Sequence, residues 1–534
     1  MKYIILCFLF SSSLALNAQA STRQIDWGPI LKNKSSSYKF LGLTGDTYQM
    51  VFNPERENRL ITHSLSHRII SDEYFDYVFN KQRLKIHGSI ETKSGSFVYM
   101  HQFNKKYNEW VLHASEFKNG TYTAPQEIYF QEIDFEKPSL KRAFDYYDDQ
   151  GRNGNFSSGV DGGLSISEDS TKVAFINHID SPRPGKQDAF AIAVFDDKMN
   201  LLWKDVFYHS FGKEGGIVTQ KIVTNDGEVY LLAKVDKENK LGGKVKSRKS
   251  KNLPDFDYHI CHINQEGILE HTVDIGARFG ATDMGIFFPK DNTEQYLLAG
   301  FYSNDEFGPN RINGVFFTYG EKDFKKNEVK VHKFEKGFLE NLTLDRAIKK
   351  GKGVPSTFAI KDMLEYKDGT IGFIAEETYF TQNTYNTGPG IGIGARNSFL
   401  NQTRTIVYNT NNIIIPKFDV EGNLLNIQKI EKEYNSEWPT TTSYSLAINK
   451  GKAYVVFNDF KKRKEARAMN KKGRLFTDLV VIGVEGEIEN RETLFSNKEI
   501  DLYFNTVFSG YNDKVMLIGT ASSRNYQMGT LRFD

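Results

Sequence analysis

One pattern recurs along this chain and narrows its possible folds more than any other feature. It is a pair of short strands, a long connection, and a second pair of strands. In residues 164–209 the pairs are LSIS with KVAFINH and DAFAIAVFD with LLWKDVFYH. The turns within the pairs are EDST and DKMN, and IDSPRPGKQ joins them. Residues 219–276 repeat it around Asn225-Asp226-Gly227 and Asn264-Gln265-Glu266-Gly267, and residues 284–334 around EQYLLAGFY and INGVFFTYG. Residues 358–433 repeat it around Asp368-Gly369 and Glu421-Gly422, and residues 443–495 around AYVVFND, DLVVIGV and Glu485-Gly486. Apolar residues alternate with period two, and Gly-containing turns punctuate them, as in antiparallel sheet. Self-similarity at this spacing marks a repeat architecture.

Two weaker copies precede Pro138. One uses FVYMHQF, EWVLHAS and EIYFQE, and the other DTYQMVF, FDYVFNK and LKIHGSI. After Phe504 only three strands remain: FNTVFSG, KVMLIGTAS and YQMGTLRFD. A four-stranded sheet is unfinished there, and N-terminal strands that complete it would leave no open ring edge. The expectation is an all-β chain, a single β-propeller of about seven four-stranded blades (six to eight possible), closed by its N- and C-terminal strands. A pair of β-sandwiches is the alternative, but it gives no reason for long loops at one fixed place in each unit.

The N-terminus reads as a secretory signal over residues 1–20. Lys2 supplies positive charge, an apolar run reaches about Leu16, and Ala18 and Ala20 are the small residues of a cleavage site. The run is shorter than the roughly 20 residues a bilayer span needs, and no later stretch reaches that length. The propeller would occupy residues 21–534, with Cys261 the one cysteine after the signal, so no intramolecular disulfide supports it. Aromatics at 13% exclude a disordered chain, and a net charge of +2 gives no support to a nucleic-acid binder.

In each unit the turns within strand pairs are short, while the other connections are long. The long ones include residues 134–163, 236–257, 335–357, 382–411 and 459–475. In a propeller these share one face, and binding residues concentrate on variable loops set on a rigid scaffold. The stretch 461–474 holds eight basic residues and one acid, Glu465. Lys461, Lys462, Arg463, Lys464 and Arg467 are therefore candidate contacts for an acidic partner. A second basic run lies in residues 245–251. The Gly-rich stretch 386–396 lacks the strand, helix and Lys-Ser/Thr ending of a phosphate cradle.

Patterns for catalysis are weak. There is no G-x-S-x-G elbow, no H-E-x-x-H and no C-x-x-C. His63 and His67 lack the Glu of a zinc protease, and Asp145, Asp148 and Asp149 miss the calcium-loop spacing. Glu376 and Glu377 are carboxylates expected near the long-loop face, but neighbours on a strand point to opposite sides. Trp438 stands beside a Pro and could form a sugar platform. No catalytic residue, metal site or cofactor is assigned.

Residues 378–459 contain TYFTQNTYNTG, a Gly-rich insert, NIIIPKFDVEGNLLNIQKI and SYSLAINKGKAYVVFND. With the two-part strand rhythm, this stretch resembles uncharacterised exported β-propeller-like proteins of Bacteroidota-type bacteria. The resemblance lends no catalytic residues. The Trp-Asp ending of WD40 repeats and the Gly-Gly pair of kelch repeats are missing.

The expected function is a non-catalytic exported propeller that binds a protein or other macromolecular partner in the cell envelope. The alternative is a carbohydrate-binding or carbohydrate-active propeller with its site at the mouth of the central channel, where Glu376, Glu377 and Trp438 are the candidate residues. Location in the periplasm, at the outer membrane or outside the cell follows from the signal. Expressed with its export machinery, the mature protein should begin at Ser21, as N-terminal sequencing would show. Retention of Met1 would refute the signal.

Overall fold

Seven hairpin turns among the described residues are built alike. Residue i accepts a hydrogen bond from residue i+3, and its own amide bonds the carbonyl of a residue at or just before the start of the next strand. The pairs are Ser64/His67, Ser167/Ser170, Asp196/Met199, Thr224/Gly227, Tyr366/Gly369, Asp419/Gly422 and Gly483/Gly486. The closing residue lies at positive φ in all seven, from 58° at Ser170 to 87° at Gly227. Glycine adopts that conformation without steric cost, so the Asx-Gly signals fall there. Asp419 adds side-chain support, accepting bonds from the amides of Glu421 (3.1 Å) and Asn423 (2.7 Å).

In the computed structural model the described residues are 25–32, 38–44, 46–52, 59–79, 81–104, 109–132, 163–179, 189–208, 216–237, 253–289, 295–305, 311–322, 328–342, 353–355, 357–366, 368–386, 402–436, 443–460, 476–496, 503–511, 514–522 and 525–533. The turns join antiparallel strands into eight blades arranged as a propeller ring. The strands of each blade are named a to d from the inside outward. The inner strands are Tyr38–Thr44, Ile86–Glu91, Leu164–Ile166, Gly216–Val223, Phe279–Phe287, Phe358–Glu365, Tyr444–Asn449 and Tyr503–Tyr511. Blade 8 takes three strands from the C-terminal end, and Ile25–Trp27 pairs with its strand Asn525–Arg532 as the fourth. Closure by N- and C-terminal strands is thus as expected, and the count is eight, the upper end of the expected range.

The difference arises in the first 132 residues. RLITHS, here the strand Arg59–Ser64, reads as polar yet is the third strand of blade 1. FDYVFNK is not a blade strand, and part of it forms the small hairpin of Val78–Phe79 with Gln82–Arg83. The segment LKIHGSI supplies the inner strand of blade 2, not of blade 1. A helix, Lys336–Leu342, lies within the connection from blade 5 to blade 6.

Each blade is apolar on both faces. Among the described residues the buried side chains form eight clusters, each shared by two neighbouring blades. Phe175 and Phe195 of blade 3 meet Tyr99 and Trp110 of blade 2, while Ile176 and Ile192 on the opposite face meet Leu231 and Cys261 of blade 4. Alternation along a strand produces this division. Cys261 is buried and unbonded to any other cysteine. Trp203 donates to the Gly227 carbonyl in the next blade (3.0 Å), and Trp27 packs edge-on against Phe495 (5.7 Å).

The closing interface carries two histidines. His67 Nε2 lies 2.7 Å from the Asp26 carbonyl of the closing strand, and Nδ1 lies 3.1 Å from the Tyr48 hydroxyl. Gly28 is required beside it, because a Cβ there would sit 2.6 Å from His67 Cβ. His63 stacks on Tyr48 at 4.8 Å, and neither ring nitrogen has a hydrogen-bond partner. Burial first, then the neighbouring His67, lowers its pKa from 6.5 to about 4, against a small opposing pull from Asp72. His63 is thus neutral in the fold and takes up a proton near pH 6.5 when unfolded. Between these values the unfolded chain binds more protons, so stability falls as pH falls. Urea titrations at pH 7 and pH 4 should differ, with about 3 kcal/mol of that difference removed by His63→Gln.

Candidate functional site: an arm at the boundary of blades 6 and 7

The middle strands of blade 6, Ile371–Asn386 and Gln402–Phe418, have 16 and 17 residues. Strand a of this blade pairs with the first of them only from Glu365↔Ile371 to Phe358↔Glu377. Past that point the two long strands continue as a ribbon, from Thr378↔Thr410 to Asn386↔Gln402. The stretch 382–411, expected as loop, is therefore strand at both ends. Its Thr, Tyr, Gln and Asn residues lack apolar alternation, the main sequence signal for a strand. Tyr379, Phe380 and Ile406 are exposed on this arm.

Glu376 and Glu377 sit at its base, where the register shifts. Glu376 is fully buried, and Lys432 donates to its Oε1. Lys361 Nζ lies 3.1 Å from Oε2, and Ser443 donates to Oε2 at 3.0 Å. Lys361 is the residue bulged out of strand a between Ile360 and Asp362, which turns it into the boundary with blade 7. Burial alone would raise the Glu376 pKa, but Lys432 and Lys361 outweigh it and hold the carboxyl below its usual value. Burial lowers the Lys432 pKa despite Glu376. Asp362, on the same strand as Lys361, is raised by burial and accepts a bond from the Tyr444 hydroxyl at 2.5 Å. The Glu376 carboxylate thus faces lysines rather than solvent.

Glu377 points the other way, into the elbow between blade and arm. Burial raises its pKa, offset in part by hydrogen bonds from Asn411, Thr357 and Asn412. Asn412 also donates to the Leu342 carbonyl (3.1 Å), tying the elbow to the end of the helix.

The segment leaving blade 6 is clamped on blade 7. Arg491 bonds Asp459 and Asp478, each at 2.8 Å, and donates to the Glu431 carbonyl. The Glu433 amide donates to Asp459 (2.9 Å), and the Phe460 amide to the Glu433 carbonyl (2.8 Å). Tyr434 stacks on Phe460 at 5.1 Å. Tyr434–Ser436 then pairs with Tyr408–Thr410 of the arm.

Trp438, Lys461, Lys462, Arg463, Lys464 and Arg467 lie outside the described residues. The residues just before them are in contact, since Ser436 belongs to the strand begun by Tyr434, and Tyr434 stacks on the Phe460 that precedes Lys461. The described residues that precede these two stretches therefore meet at one boundary. Sequence reasoning did not find the partners of Glu376, because Lys361, Lys432 and Ser443 are scattered along the chain. It also missed Asp459, Asp478 and Arg491. Among the described residues no group of His, Cys, Asp and Glu is arranged to hold a metal ion, and no helix is long and apolar enough to cross a membrane.

No family model matches the chain, and no curated protein is similar to it in sequence. Among solved structures it is similar to the Dos1 propeller, at 7% identity and a TM-score of 0.41 over 95% of each chain. It is also similar to the β-propeller domain of the Trilobed protease from Pyrococcus furiosus, at 10% identity and a TM-score of 0.33 over 86% of this chain and 98% of that one. A third is the polysaccharide lyase Uly1, at 9% identity and a TM-score of 0.35 over 95% of this chain and all of that one. At these scores the likenesses carry no argument about activity, and the architecture rests on the strand pairing itself.

Glu376→Gln should cost about 3–5 kcal/mol by leaving two buried cations without their carboxylate. Chemical denaturation would measure it. Adding Lys432→Met should recover part of the loss, because one uncompensated charge is then gone.

Proposed function

We propose that this propeller is a non-catalytic binding scaffold, exported to the cell envelope, that engages a protein or glycan-bearing partner on its long-loop face. The propeller fold supports a scaffold or binding role. One observation carries the finer reading: the arm, the segment leading to Trp438 and the root of the basic stretch 461–474 converge at the boundary of blades 6 and 7. The arm offers exposed Tyr379 and Phe380, aromatic residues suited to anchoring an interface. The basic stretch would add attraction for an acidic partner. The buried acids beside this boundary have structural partners: Asp362 is bonded to Tyr444, Glu376 to lysines, and Asp478 to Arg491.

The test is cross-linking of the native protein in its own cells, repeated with a variant lacking residues 461–474 and with Phe380→Ser. Both variants should keep the parent's melting temperature and lose envelope partners. An unchanged set of cross-linked partners would overturn the assignment of this face. Hydrolysis of a polysaccharide by the purified protein would overturn the non-catalytic reading.

A further inference from the structure

The outer edges of the blades in this ring carry charge. The outermost strand of every blade carries an ionisable side chain. Examples are Asp72 and Glu73 in blade 1, Glu127 and Glu132 in blade 2, Lys204 and Asp205 in blade 3, and Glu270 in blade 4. Lys330 and Lys333 serve blade 5, Lys429 blade 6, Arg491 and Glu492 blade 7, and Asp26 the closing strand of blade 8. Charges at such positions discourage pairing with another chain.

The arm departs from this rule. Beyond Glu377 the strand ending at Asn386 has the other arm strand on one side, and among the described residues no strand pairs with its other side. This open edge reads Tyr379-Phe380-Thr381-Gln382-Asn383-Thr384-Tyr385-Asn386, with no charge and no proline. Aromatic residues and Thr favour strand. The arm's opposite edge already accepts an added strand, because Tyr434–Ser436 pairs with Tyr408–Thr410.

We propose that two copies of this protein associate by antiparallel pairing of these edges, Tyr379–Asn386 against its equivalent. A two-fold axis perpendicular to the ribbon opposes residues of the same stretch. A register centred on Gln382 sets Tyr379 against Tyr385, Phe380 against Thr384 and Thr381 against Asn383. No like charges meet, and backbone groups along both edges gain strand partners. Phe380 and Ile406 share one face of the ribbon, since Phe380 opposes Tyr408 and Gln382 opposes Ile406. In the pair, Phe380 and Ile406 of both copies lie on the same face of the four-stranded sheet. A second copy is favoured over a different partner because an uncharged edge has no charge pattern for selecting a foreign strand, while its own sequence meets itself without repulsion.

Sedimentation equilibrium of the mature protein tests this. The parent should be a dimer. Thr381→Lys with Asn383→Lys brings like charges together across the axis, and that variant should be a monomer with an unchanged melting temperature. Thr381→Glu with Asn383→Glu should also be monomeric, and mixing the two variants should restore a dimer. A monomeric parent at high micromolar concentration overturns the proposal, including the case in which the arm captures a foreign strand. A dimer that survives both charged variants overturns it too, since another face would then hold the pair. A mixture that stays monomeric counts against this register.

Discussion

Everything in this molecule depends on blades that are apolar on both faces. Such a sheet cannot be half of a two-layer structure, because the second face would remain in water. Each blade instead packs against two neighbours, and the series ends only by returning to its start. Ile25–Trp27 makes that return by joining the last blade, and His67 binds the Asp26 carbonyl from blade 1. No disulfide assists, since Cys261 is buried and unpaired. Closure of the ring rests on a shared core and on the pairing of Ile25–Trp27 and Leu31–Lys32 with Asn525–Arg532. Met50, Met516 and Met528 line the closing core, and flexible thioethers suit a joint between ends formed far apart in the chain.

Polar side chains near the axis fix how neighbouring blades meet. Gln220 bonds both the amide and the carbonyl of Ile286 in the next blade, at 2.9 Å and 2.8 Å. Asp283 accepts a bond from the Ile360 amide of the following blade and another from Tyr258, and Asp362 reaches Tyr444 in the blade after that. Each of the three follows a bulge in its inner strand. An extra residue re-aims the next side chain, here into the inter-blade space. Burial raises the Asp283 pKa to about 6 even with these bonds. The Lys361–Glu376–Lys432 cluster extends the same logic outward, where blade 6 meets blade 7 and the arm begins.

The strand rhythm was legible because the Asx-Gly turns and the period-two alternation are local properties of the chain. Strands such as Ala189–Asp196 and Gln295–Asn304 needed nothing else. Arg59–Ser64 escaped because two of its six residues are Thr62 and His63, buried polar groups whose surroundings, such as Tyr48 stacked on His63, come from other strands. The arm escaped for the opposite reason: its residues favour strand but have no core face to alternate against. Glu376 was recognisable as a carboxylate near the long-loop face, yet its role depends on two lysines at sequence separations of 15 and 56 residues.

The sequence by itself determined an all-β ring of repeated four-stranded units, because alternation and turn chemistry act over a few residues and need no distant partner. Tertiary structure alone decided that the units number eight, which N-terminal residues close them, and that Glu376 is enclosed by lysines. It also decided that the roots of the Trp438 segment and of the basic stretch meet beside one arm. Those outcomes depend on which blade faces interlock around the ring, a long-range packing condition that no local pattern encodes.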